Sequence, residues 1–114
     1  MITTTILLAS LLLGQADSAE TAHIEGLIKH VGELKDASFV RNGVAYDAAT
    51  SVKFLRGKWK ANSQDIKTAE DFIEKAATKS STTGKPYLIR FQDGKEVESG
   101  KYLRAELAKV KATP

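Results

Sequence analysis

Between Glu20 and Lys35, apolar side chains fall at Ile24, Leu27, Ile28, Val31 and Leu34. Steps of three and four residues return to one side of a helix, so this spacing predicts an amphipathic helix with one buried stripe. The pattern then shortens. Phe39-Val40-Arg41 and Val44-Ala45-Tyr46 are brief strand-like runs separated by Asn42-Gly43. Asn and Gly tolerate positive φ, which a two-residue type I′ turn requires at both central positions, so the segment predicts a hairpin. A second helix is expected from an N-cap at Asp47 to Lys60, striped by Ala48, Val52, Leu55 and Trp59. Gly57 weakens its middle by about 1 kcal/mol relative to Ala.

Ala61 to Lys67 reads as a polar link. Thr68-Ala69-Glu70-Asp71 then opens a third helix, with a capping hydroxyl and acids in the first turn facing its free N–H groups. Phe72, Ile73, Ala76 and Ala77 are its apolar side, and Thr78 to Pro86 is a hydroxyl-rich loop. Tyr87, Ile89 and Phe91 alternate with Leu88 and Arg90 as a strand; Asp93-Gly94 marks a second turn and Lys95 to Glu98 the returning strand. Ser99 is expected to cap a last helix striped by Leu103, Leu107 and Val110. The fold class is α+β: a small antiparallel sheet of two hairpins packed against about four helices, in the order α-ββ-α-α-ββ-α. The expected core draws on Ile24, Ile28, Val31, Leu55, Phe72, Ile73, Ile89, Phe91, Leu103 and Leu107. The element order repeats once, as in a decayed duplication, with little sequence similarity to accompany it.

Ahead of this pattern, Met1 to Ala16 carries no charged side chain and holds the apolar run Ile6 to Leu13. That run is well short of the ~20 residues of a transmembrane helix. A short apolar core closed by small residues has the form of a cleaved signal peptide. Gly14-Gln15-Ala16 places small residues where a signal peptidase reads, so cleavage is expected after Ala16, with Ala19 as the second choice. Residues 17–114 would then be one domain, periplasmic or secreted, with no transmembrane anchor in the mature chain. A buried N-terminal helix is the competing reading, against which Thr3-Thr4-Thr5 is a poor helix opening and the leucine run has no polar face.

Seventeen basic residues stand against fourteen acidic ones, for a net charge of +3. This is a mixed surface, so no nucleic-acid partner is expected. The chain has no Cys. An exported domain without disulfides rests on its apolar core, and thiol catalysis and thiolate metal sites are excluded. His23 and His30 lie two turns apart on one helix, about 10 Å along its axis, too far to share a metal ion. They read more simply as side chains at the border of the apolar stripe. No metal or cofactor is expected. No elbow motif surrounds a Ser, and Gly84-Lys85 lacks the upstream Gly and following Ser or Thr of a phosphate loop.

Several segments in order resemble a family of small exported bacterial proteins, the YfeK-like domain of unknown function. They are His23-Ile24, Phe39-Val40-Arg41-Asn42-Gly43, Leu55-Arg56 with Lys58, Thr68-Ala69-Glu70-Asp71-Phe72-Ile73, and Ser80-Ser81 with Thr83-Gly84-Lys85-Pro86-Tyr87. The resemblance spans essentially the whole mature chain and implies export and a shared fold, with no activity to carry over. Members of that family often carry an acid and a His on the second helix, where this chain has Thr50 and Phe54, and some have a Cys near Ala48. A catalytic or metal site built on that acid and His would be missing from this chain.

Two groups of residues are candidates for recognition. Lys53, Arg56 and Lys60 form a basic stripe on the second helix, beside Lys58 and Trp59. Such a stripe suits an anionic cell-wall polymer or an acidic protein face, and a solvated helix face is the plainer reading. Arg41 and Asn42, at the first turn, and Ser80, Ser81 and Tyr87, around the Pro86 loop, are expected to meet at one end of the sheet. Arg41 brings a planar donor fork suited to carboxylate or phosphate. Turn chemistry and loop bracing are the competing account of the same residues. The expected function is a non-catalytic binding module, not an enzyme, that recognises an envelope protein or an anionic cell-wall polymer. The alternative is a small hydrolase or transferase using Ser/Thr hydroxyls and Arg.

Overall fold

The computed structural model describes residues 17–112, so the expected signal segment, residues 1–16, lies outside the described residues. Helix α1 spans Ser18–Gly32, opened by the Asp17 carboxylate, which accepts the Glu20 N–H at 2.9 Å. It buries Ile24, Leu27, Ile28 and Val31, the stripe that its spacing predicts. Strands β1 (Ser38–Arg41) and β2 (Val44–Tyr46) follow, then helix α2 (Ala48–Ala61). Helix α3 begins as Ala69–Phe72 and runs on as a π-helical turn, Ile73–Ala77. Strands β3 (Leu88–Arg90) and β4 (Glu96–Glu98) lead into helix α4, Ser99–Ala112.

The sheet order is β2-β1-β3-β4, with every neighbouring pair antiparallel. The first strand of each hairpin is therefore central, and each returning strand is an edge. Asn42 (φ 50°) and Gly43 (φ 81°) close the first hairpin with Arg41 opposite Val44, the two-residue turn that Asn-Gly calls for. The second turn is longer. Gly94 alone takes positive φ, its N–H donates to the Phe91 carbonyl, and the Phe91 N–H donates to the Lys95 carbonyl.

Register sorts the side chains. Phe39, Ile89 and Val97 face one another across three strands, and this face meets the helices. Together with the α1 stripe, Leu55, Ile66, Phe72, Ile73, Leu103 and Leu107 it forms one apolar core. Val40 pairs with Leu88 on the other face and is buried outside that cluster. The capping box at α3 is complete: the Thr68 hydroxyl accepts the Asp71 N–H, and the Asp71 carboxylate accepts the Thr68 N–H. Glu20 of α1 accepts the Ala69 N–H at 2.7 Å, tying the two helix starts together.

Four sequence expectations are corrected. Ser99 does not cap α4: its Oγ is buried without a hydrogen-bond partner and its N–H donates to the Tyr87 carbonyl, because β4 runs straight into the helix. Phe91 is only half-buried, packed against Tyr102 at the margin of the core. Ala48 is only half-buried, whereas Ser51, outside the expected stripe of α2, is buried, its hydroxyl donating to the Asp47 carbonyl. The polar link after α2 hides one core residue, Ile66. The π turn has a visible partner: the Thr78 hydroxyl donates at 2.7 Å to the Ile73 carbonyl, five residues back. No helix among the described residues is long and apolar enough to cross a membrane.

Candidate functional site: two cations on an aromatic cluster

Arg41 closes β1 with the same facing as Phe39, so its side chain leaves the sheet on the helix side, at the rim of the core. Helix α2 brings Phe54 and Lys58 to this rim, four residues apart and hence on one side of the helix. Phe54 meets Tyr87 edge-on at 5.6 Å between ring centres and Phe39 at 6.3 Å. The Arg41 guanidinium carbon lies 3.6 Å from the centre of the Phe54 ring and 5.1 Å from that of Tyr46. The Lys58 ammonium lies 5.6 Å from the Phe54 ring centre and donates to the Tyr87 hydroxyl at 3.2 Å.

A ring face is the negative side of its quadrupole, and a guanidinium plane is weakly hydrated, so this stack is favourable without an acid. Among the described residues, no carboxylate lies within ion-pair distance of Arg41 or Lys58. Arg41 Nε is buried and lacks a hydrogen-bond partner. Two positive charges thus share an aromatic support and have no internal counter-charge.

Beside them the Pro86 loop is tied to the first turn. Asn42 Nδ2 donates to Ser80 Oγ at 3.4 Å, and the Thr83 hydroxyl donates to Asn42 Oδ1 at 2.6 Å. Ser80 Oγ also accepts the N–H groups of Thr82 and Thr83. Of the five residues singled out from sequence, Asn42 and Ser80 are bonded to each other, and Arg41 and Tyr87 share the Phe54 ring. Ser81 is exposed next to Ser80. Ser80 and Tyr87 are buried, and their hydroxyls are engaged inside the fold. The charged groups at this rim are Arg41 and Lys58, both half-buried. Phe54, Lys58 and Thr83 belong to this cluster too, although the sequence reading placed none of them among the candidate site residues. The first two carried a signal, an aromatic and a cation at helical spacing of four on the helix after an Arg-bearing turn.

The basic stripe of α2 is divided. Lys53 and Lys60 are exposed, whereas Arg56 is committed to Glu25 of α1 through contacts of 2.8 and 3.0 Å, which raise its pKa further. The histidines sit elsewhere. His30 Nε2 lies 2.7 Å from the Tyr102 hydroxyl and His30 Nδ1 lies 3.6 Å from the Glu106 carboxylate. Burial, followed by the Glu106 charge, pushes the Tyr102 phenol up. His23 Nδ1 is 3.9 Å from Glu20. No group of three or more His, Cys, Asp or Glu among the described residues is placed to hold a metal ion.

Fold and site together define a small α+β domain whose hairpin end presents cations without counter-charges. The chain belongs to the Family of unknown function (DUF5329), which matches residues 18–111. It is also similar to the Uncharacterized protein YfeK of Salmonella typhimurium, 44% identical over 68 residues. That match covers 60% of this chain and 57% of the relative's length. No solved structure matches the chain.

Proposed function

We propose that this domain is exported and acts in the bacterial envelope as a non-catalytic binding module, holding a carboxylate of a partner protein against Arg41 and Lys58. The observation that carries this reading is that, among the described residues, no acid lies at ion-pair distance from two cations that share the Phe54 ring. A planar Arg fork pre-oriented on a ring loses little freedom on binding a carboxylate, and Lys58 adds a second donor. Export rests on the uncharged, leucine-rich start and the small residues around Ala16. Ser80 is poorly placed as a nucleophile, because its Oγ accepts three internal hydrogen bonds and none comes from a His.

Cell fractionation with N-terminal sequencing tests export: protein beginning at Asp17 outside the cytoplasm is expected, and intact Met1 in the cytosol would end that part. For binding, the tagged full chain is cross-linked in cells and recovered from the envelope. Wild type should retain a specific protein partner, and the Arg41→Ala/Lys58→Ala double variant should lose it by about tenfold or more, roughly the 1.4 kcal/mol of one charge-assisted contact. Undiminished recovery by a folded double variant would remove the cationic site from the function. Co-sedimentation with purified cell-wall polymer that depends on Arg41 would move the reading to the polymer.

A further inference from the structure

The two edges of the sheet are built differently. Edge strand β4 reads Glu96-Val97-Glu98 after Lys95, and it is followed at once by α4. Charges along an edge deter another chain from pairing there. Edge strand β2 reads Val44-Ala45-Tyr46 and carries no charge and no Pro. Val44 is 51% exposed, the exposed large hydrophobic side chain of the described residues. The nearest acid along the chain, Asp47, is spent as the cap of α2, accepting the Thr50 N–H at 2.8 Å.

Register decides which backbone groups are free. In a two-residue hairpin the residues flanking the turn exchange hydrogen bonds, so Val44 and Tyr46 turn their N–H and C=O toward Arg41 and Phe39. Ala45 therefore turns its N–H and C=O outward. Val44 faces the same side of the sheet as Arg41, and Tyr46 the same side as Phe39. A strand added beside β2 would alternate likewise, placing every second side chain on the face where Arg41 and Lys58 lie.

We infer that β2 is a docking edge for an extended, acid-bearing segment of a partner protein, which adds as a fifth strand with its carboxylates directed toward Arg41 and Lys58; this rests on the cationic site proposed above. Charge complementarity selects this occupant. Two copies of the chain pairing through β2 would set their Arg41 residues three strand spacings apart, about 14 Å, and bring neither an acid, so self-pairing lacks the charge complementarity of an acidic strand. Three residues of edge give few ladder bonds, so strand pairing alone is weak, and the carboxylate contact supplies both the remaining affinity and the register.

The probe is the peptide acetyl-Val-Glu-Val-Glu-Val-amide, titrated into the full mature chain and followed by backbone NMR. Three controls accompany it: a Glu-to-Gln peptide and two peptides methylated on alternate backbone nitrogens. Saturable binding is expected, with the Ala45 amide shifting and its hydrogen exchange slowing. The Gln peptide, one of the two methylated peptides, and the Arg41→Ala protein should each weaken binding by about tenfold or more. Binding that survives both methylated peptides yet fails with Gln overturns the strand dock and leaves the cationic site standing. Binding sensitive to methylation but indifferent to Gln and Arg41→Ala overturns the cationic reading. An unmoved Ala45 amide at about 5 mM peptide, beyond the millimolar range of weak binding, overturns the dock outright. So does dimerisation through β2 in the absence of peptide.

Discussion

The guanidinium carbon of Arg41 lies 3.6 Å from the centre of the Phe54 ring, and among the described residues no acid lies within ion-pair distance of it. The residue is therefore both a cover for the core margin and a presented charge. Replacing it by Ala uncovers Phe54 and removes a cation–π contact of about 0.5–1 kcal/mol. For a domain of this size that corresponds to a melting temperature lower by roughly 2–8 °C. Arg41→Lys keeps the charge but not the planar stack, and should recover less than half of that difference. Calorimetry of the three proteins decides the matter. An Arg41→Ala melt identical to wild type would show that the stack contributes no stability, and full recovery by Lys would show that charge alone suffices.

Ser80 anchors the loop to the hairpin. Its Oγ is an acceptor for Thr82, Thr83 and Asn42, and the residue is 5% exposed. Ser80→Ala removes the acceptor of three part-buried hydrogen bonds from exposed residues and should cost about 0.5–1.5 kcal/mol. The Thr82 and Thr83 amides should exchange with solvent faster than in wild type, while those of the α1 core stay protected. Chemical denaturation with hydrogen exchange reads both effects. A loss below about 0.5 kcal/mol, the range of an ordinary surface change, would mean that water replaces the hydroxyl without penalty.

Acid should loosen two helix starts. Asp71 is held below the usual carboxylate range chiefly by the Lys67 N–H, with the Thr68 N–H adding to it. Asp47 is lowered in the same way by the Thr50 N–H. A carboxyl depressed in the folded state contributes stability that is present above its unfolded value, about 3.9, and is lost as pH falls through the folded value. Asp71→Asn should therefore lower stability near neutrality, and the gap to wild type should begin to close as pH falls below about 3.9 and vanish only once pH has passed the lower folded value, where wild-type Asp71 is itself protonated. Urea unfolding from pH 7 down to pH 2 follows this gap. A gap that stays constant through the range would place the effect of Asp71 outside its charge.

The elements that could be read from sequence are those specified by contacts near in the chain. Asp47 and Thr68 act as caps because their side chains answer N–H groups three residues on, and Asn42-Gly43 turns the chain because both residues accept positive φ. Elements fixed by distant partners were harder to see. Ile66 looked like part of a polar link because the pocket that takes it is assembled from other helices. Ser99 looked like a cap because Ser before an apolar stripe usually is one, yet here the strand enters the helix without a break. The site divides in the same way. Arg41 and Asn42 stood out as turn residues, but Lys58 resembled its neighbours Arg56 and Lys60 until the fold turned Arg56 to Glu25 and Lys58 to Tyr87.

Two glycines in helices should respond to a methyl group in opposite directions. Gly57 lies inside α2, and a Cβ built there meets nothing within 4 Å. Gly57→Ala adds helix propensity without a clash and should stabilise by about 0.5–1 kcal/mol. Gly100 lies in the first turn of α4 against the end of the π turn, where a Cβ would come 2.7 Å from Thr78 Oγ1 and 3.3 Å from Thr78 Cγ2. Thr78 cannot simply rotate away, because that same hydroxyl donates to the Ile73 carbonyl at 2.7 Å. Either the helix shifts or the carbonyl loses its donor, so Gly100→Ala should destabilise by about 1–3 kcal/mol. The clash has a specific partner, which a double-mutant cycle exposes: in a Thr78→Ala background the Gly100→Ala penalty should fall by about half or more. Equal penalties in the two backgrounds would mean that the first turn of α4 is set by something other than Thr78.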